Sequence, residues 1–117
     1  MADVSLTAVE DQIFVTEGPQ PTVVGESLTL DITYPWTTTM DTPTNAIYKE
    51  DTTTDLSSTH LSGSTTITGN VLTTKVIAGL VANERYILAI GCRLPATTGD
   101  TIIRKVMLIC QGAGDGA

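Results

Sequence analysis

Apolar and polar positions alternate with a period of two along much of this chain, and that rhythm predicts strands. It is clearest where Leu28, Leu30, Ile32 and Tyr34 alternate with Thr29, Asp31 and Thr33. A longer run puts Tyr86, Leu88, Ile90, Cys92 and Leu94 on one face and Arg85, Ile87, Ala89, Gly91 and Arg93 on the other. The last run, residues 101–110, is apolar on both faces. Ile102, Val106, Leu108 and Cys110 share one face, and Ile103, Met107 and Ile109 share the other. One of these must face a core. The second is more apolar than a free surface needs, which points to a partner.

Shorter runs fill the gaps. Residues 46–49, 61–67 and 71–77 read as strands, the last two joined by the tight-turn signal Thr68-Gly69-Asn70. Ile13-Phe14-Val15 is a short strand candidate, broken by Gly18-Pro19-Gln20-Pro21 and resumed at Val23-Val24. Two prolines so close exclude a central strand and suggest a sheet edge. Residues 1–12 are polar with isolated Val4, Leu6 and Val9, and read as an extended N-terminal arm. Pro35 ends the first clear strand, and the single Trp, Trp36, is expected as a buried plug at a sandwich end. Residues 37–44 read as a polar loop. Residues 50–58 read as a Thr-rich loop with a short irregular strand near Leu56. Residues 112–117 read as a flexible Gly, Ala and Asp tail. No stretch of useful length carries a helical period.

Leu80, a short turn and then Tyr86 resemble the tyrosine corner of Greek-key sandwiches, in which the ring is buried and its hydroxyl bonds back to the preceding turn. About seven strands with turn signals between them make the expected fold all-β. It is an Ig-like Greek-key β-sandwich over residues 13–111, with the arm at 1–12 and the tail at 112–117.

Composition narrows the function. The 117 residues suit one domain with its own core. Thirteen acidic against six basic residues give a net charge of −7, the opposite of a nucleic-acid footprint, and anionic membranes are disfavoured on the same ground. The expectation is therefore neither a nucleic-acid nor a membrane partner. The opening residues carry neither the basic nor the long apolar region of a secretory leader, and Cys92 and Cys110 fall out of register for a hairpin disulfide. Two buried free thiols and synthesis in a reducing cytoplasm are expected.

Candidate chemistry is sparse. The one histidine, His60, lies near Asp55, Ser57 and Ser58 but without any nucleophile elbow or oxyanion motif, so it reads as an exposed or loop-packing residue. Two distant cysteines with one histidine do not make a zinc site, and Glu50, Asp51 and Asp55 lack the spacing of a calcium loop. The glycines form no phosphate cradle. No catalytic, metal or cofactor residue is expected.

Several stretches resemble small Ig-like structural proteins of tailed bacteriophages. They are Gly25-Glu26-Ser27-Leu28-Thr29-Leu30 leading to Tyr34-Pro35, Ala46-Ile47-Tyr48-Lys49, Leu61-Ser62-Gly63-Ser64, Gly69-Asn70-Val71-Leu72-Thr73-Thr74, Gly79-Leu80 to Tyr86-Ile87-Leu88, and Arg104 to Ile109. The resemblance covers residues 25–110 and is one of strand and turn types. It implies a virion component, a capsid decoration or cement protein that stabilises the head. It also implies homo-oligomers and contact with other virion proteins, the major capsid protein first among them. A neck or tail adaptor is an alternative, and so is an Ig-like module that binds ligands or glycans through the loops at 36–44 and 50–60. The expected interface residues are Val4, Leu6, Val9, Ile13 and Phe14 along the arm and first strand, with Ile103, Met107 and Ile109 on the last strand.

Overall fold

The computed structural model describes residues 2–8, 10, 13–15, 18, 20–23, 25–50 and 55–111. Ten strands and one short helix are assigned among them: β1 Ala2–Thr7, β2 Gln20–Val23, β3 Leu28–Thr33, β4 Asp41–Lys49, α1 Ser57–His60, β5 Leu61–Ser62, β6 Thr66–Thr68, β7 Val71–Thr73, β8 Val76–Ile77, β9 Arg85–Leu94 and β10 Asp100–Gln111. They form two sheets packed on one core, the all-β sandwich expected from the alternation.

The strand count rises because two expected runs are interrupted. Residues 61–67 break at Gly63, whose φ of 81° lies outside the extended range of a regular strand, giving β5 and β6. Residues 71–77 break at Thr74. Its hydroxyl accepts the Leu30 N–H (3.0 Å) and its own N–H donates to the Leu30 carbonyl (2.9 Å), so β7 and β8 lie on the same side of β3, one residue out of step. Counted as interrupted strands, β2, β3, β4, β5/β6, β7/β8, β9 and β10 make the seven of an Ig-like sandwich. The first sheet has β3 beside β7/β8 beside β5/β6. The second runs β2-β10-β9-β4.

The eighth strand corrects the expected arm. Ala2–Thr7 pairs in parallel with Leu28–Thr33 along its full length. Leu6, only 2% exposed, enters the core, and so does Ala8. Apolar side chains at alternate positions give the segment a core-facing row, and burying them favours its own sheet over a free arm. Val9 and the tail at 112–117 lie outside the described residues.

The inner faces follow the alternation. Leu28, Leu30, Ile32 and Tyr34 meet Tyr86, Leu88, Ile90, Cys92, Val106, Leu108 and Cys110 across the sandwich. The two cysteines are free and buried. Cys92 lies opposite Ile102, and Arg85 lies opposite Ile109, next to Cys110, so the two cysteines are out of register for a disulfide, as expected.

Three local expectations change. β4 begins at Asp41 rather than Ala46, bulging between Asp41 and Thr44 before joining the regular ladder with β9. The irregular strand near Leu56 is instead one turn of helix, α1. Its His60 is buried, with its Nδ1–H donating to the Ala78 carbonyl (3.1 Å) and its ring edge-on to Tyr86 at 5.3 Å. Trp36 is half-buried at the sandwich end rather than sealed within it.

Tyr86 is fully buried, and its hydroxyl oxygen accepts the N–H of Val81 at 2.9 Å. This is the tyrosine corner expected from Leu80 to Tyr86, closing one end of the sandwich.

Candidate interaction surface

The second sheet turns one face to the core and the other to solvent. Strand register assigns the outer face. On β10 it takes Ile103, Lys105, Met107 and Ile109, and on β9 it takes Arg85, Ile87, Ala89, Gly91 and Arg93. On β4 it takes Thr44, Ala46 and Tyr48, which lie opposite Gly91, Ala89 and Ile87. The Lys105 ammonium reaches across Ala89 to sit 5.9 Å from the Tyr48 ring centroid, confirming that both point outward. Pro21 extends the face onto β2 opposite Ile109.

Residues 13–15 add a corner. Phe14 bridges in parallel to Lys105, the Lys105 N–H donates to the Ile13 carbonyl (2.8 Å), and the Val15 N–H donates to the Lys105 carbonyl (3.3 Å). Val15 therefore turns into the core, and Phe14 joins the outer face beside Lys105 and Ile103. Four large hydrophobic side chains are exposed among the described residues. Phe14 (44%) and Ile103 (49%) share this part of the outer face, while Ile13 (50%) alternates to the side of Val15 and Val81 lies in the turn before β9.

The middle of the face is low because its residues are small. A methyl group at Gly91 would lie 2.5 Å from the Thr44 hydroxyl, so glycine is what lets β4 and β9 carry Thr44 there. Charges frame the apolar field in pairs. Arg85 meets Glu50 at 4.0 Å, and Arg93 makes a two-pronged contact with Asp41, Nε to Oδ1 at 2.6 Å and Nη2 to Oδ2 at 2.5 Å.

Asp41 also organises the loops at its end of the sandwich. It accepts the Thr97 N–H (3.1 Å) and the Thr42 hydroxyl (3.2 Å). The Arg93 hydrogen bonds above all hold its carboxyl down at about 2. Thr42 and Thr97 have φ of 53° and 66°, the left-handed region that β-branched residues avoid, and Asp41 binds both. The Ala96 N–H donates to the Thr39 hydroxyl (3.2 Å), tying the loop before β4 to the loop between β9 and β10. Beside them lies an open recess of about 370 Å³ lined by Pro35, Trp36, Thr37, Thr38 and Pro95. Arg104, next in sequence to the outward Lys105, turns inward. Its guanidinium sits 5.5 Å from the Trp36 ring centroid and donates to the Glu10 carbonyl (2.5 Å) and the Ile103 carbonyl (3.0 Å).

The structure brings Phe14, Ile103, Met107 and Ile109 of the expected interface onto one face, and turns Ile13 to the side of Val15. It does not bring Val4 or Leu6 to them. Both lie on β1 in the other sheet, Val4 packed against the core and Leu6 within it, so neither offers a surface to a partner. Tyr48, Ile87 and Ala89 belong to the face but were absent from the expected set. The outward row of β9 was the signal for two of them. Nothing local marks the Asp41–Arg93 anchor, whose partners are 52 residues apart. Among the described residues, no three His, Cys, Asp or Glu side chains converge as a metal site, and no helix is long and apolar enough to cross a membrane.

No family model matches the chain, and no curated protein matches it. A solved structure of similar course is a cysteine protease inhibitor from Entamoeba histolytica, with 14% identity over 94% of this chain and 96% of that one and a TM-score of 0.48. A likeness of this size carries no argument about activity or partners.

Proposed function

We propose that this chain is a non-catalytic structural subunit of a bacteriophage virion, a decoration or cement protein that docks on the head. The observation that carries the reading is the apolar outer face of the second sheet, with Phe14 and Ile103 exposed on it. Exposed apolar side chains gathered in one place mark an interaction site on an otherwise polar domain. The strand and turn pattern at residues 25–110 supplies the virion context. The test is to purify phage particles from cells that carry the gene and to look for the chain by mass spectrometry and by imaging. It should be present in many copies on the head. Its absence from purified particles would overturn the reading.

A second reading, capture of a ligand or glycan, rests on the open recess beside Trp36. Titration with simple sugars, followed through Trp36 fluorescence, tests it. A saturable change that Trp36→Ala abolishes would favour it over head docking.

A further inference from the structure

We propose that the outer face of the β2-β10-β9-β4 sheet is where two copies of this chain meet, sheet against sheet. This names a second copy, rather than the head itself, as the occupant of the surface described above, and it rests on the virion reading only in that copies are held side by side on a particle.

The edges of the sheet favour a face contact over strand addition. Pro21 in β2 and Pro43 in β4 each remove a backbone donor from an outer strand. At Ile47 the outer strand is already occupied, since its carbonyl accepts the Leu56 N–H (2.7 Å) and its N–H donates to the Ser57 hydroxyl (3.1 Å). A partner strand would have to displace these bonds. The face itself needs no displacement.

Charge selects a second copy. Among the described residues the face carries three cations, Arg85, Arg93 and Lys105, and two carboxylates, Glu50 and Asp41, both ion-paired. That is one net positive charge on a chain of net −7, which leaves −8 for everything else. Two copies that meet through this face bury few unpaired charges and keep most of the chain's carboxylates outside the contact.

Size sets how tightly they hold. Four strands about 4.8 Å apart and roughly 30 Å long present on the order of 600 Å². Two such faces bury about 1,200 Å², the lower bound for a specific interface. The dimer therefore dissociates on dilution and gains strength where copies are held close, as they are on a particle surface. In a twofold arrangement the raised Phe14–Ile103 corner of each copy packs on the low Ala46–Ala89 centre of the other.

Sedimentation velocity from about 1 μM to about 1 mM covers the range of such weak association. The wild type should shift from monomer to dimer across it. Phe14→Glu and Ile103→Glu, both at half-exposed positions, should keep the circular dichroism of the fold and stay monomeric throughout. Val81→Glu, in the turn before β9, should dimerise like the wild type. Mixed-label methyl NMR should show intermolecular contacts at Ile103, Met107 and Ile109. A wild type that stays monomeric at every concentration overturns the proposal, as does dimerisation undiminished in both glutamate variants. A wild type that is monomeric alone but whose face becomes protected on added heads also overturns the second copy, while leaving head docking intact. A face-dependent dimer from a chain absent from particles leaves the dimer standing and removes the virion assignment.

Discussion

Two buried tyrosines make a matched pair whose hydroxyls should affect stability with opposite sign. Tyr86 and Tyr34 are both fully buried. The Tyr86 hydroxyl oxygen accepts the Val81 N–H at 2.9 Å, whereas the Tyr34 hydroxyl is buried with no hydrogen-bond partner among the described residues. Tyr86→Phe removes an acceptor and leaves a partly buried N–H unpaired, which costs about 1–2 kcal/mol. Tyr34→Phe removes a polar atom that gave up its water for nothing better than the weakly bonding Cys92 thiol beside it, so it should be neutral or stabilise by up to about 1 kcal/mol. Urea unfolding reads both. With a slope near 1.5 kcal/mol/M, the Tyr86→Phe midpoint should fall by about 1 M and the Tyr34→Phe midpoint should hold or rise. Tyr48→Phe on the outer face serves as the control and should not move. Equal losses from the two buried substitutions would refute the reasoning, because they would mean that the corner hydrogen bond contributes no more than an orphan hydroxyl. The same contrast has a pH signature. Burial, and after it the neighbouring Cys92 thiol, push the Tyr34 phenol above the usual tyrosine range. Its folded pKa is raised, so the associated stability is fully present below about pH 10 and is lost as pH climbs beyond it. Ultraviolet titration should show the Tyr34 phenol ionising only as the protein unfolds.

The remaining predictions address the β1 strand, the loop anchor and the thiols. Leu6→Ala should cost about 2–4 kcal/mol in the same unfolding assay, as a core truncation does, and a cost near zero would return β1 to the status of an arm. The lowered pKa of Asp41 means that its contribution to the loop anchor is present above about pH 4 and is lost as pH falls through about 2, so the Thr97 amide and Arg93 Nε–H signals should titrate together with that midpoint. Burial pushes both cysteine thiols up. Native protein should react with an aromatic disulfide reagent far more slowly than denatured protein, which should release both thiols at once; equal rates would argue against their placement in the core.

Legibility in the sequence follows the range of the interaction. The inner rows of β3, β9 and β10 and the outer row of Ile103, Met107 and Ile109 were readable, because side-chain direction in a strand is set by position alone. The tyrosine corner was readable because its hydrogen bond spans five residues. β1 was not, although Ala2, Val4, Leu6 and Ala8 alternate correctly. Small alanines weaken the pattern, and the partner strand begins at Leu28 in parallel, a pairing that no turn announces. The start of β4 was hidden for the same reason, since Thr42 and Pro43 look like loop and Asp41 is fixed by Arg93 far along the chain. Arg104 looks like a surface charge in sequence. It turns inward because the sandwich end offers it the Trp36 ring and the Glu10 carbonyl.

The pairing of β2 with β10 has a mechanical meaning. The two strands run parallel, with Gln20 beside Leu108 and Val23 beside Gln111. Tension applied between the start of β2 and the end of β10 pulls β2 backward along its axis and β10 forward along its own. The ladder between them is then loaded in shear, with its hydrogen bonds sharing the force together, instead of being peeled one bond at a time as in a hairpin opened from its tips. The domain should therefore resist stretching between these two strands more strongly than its thermodynamic stability alone would suggest.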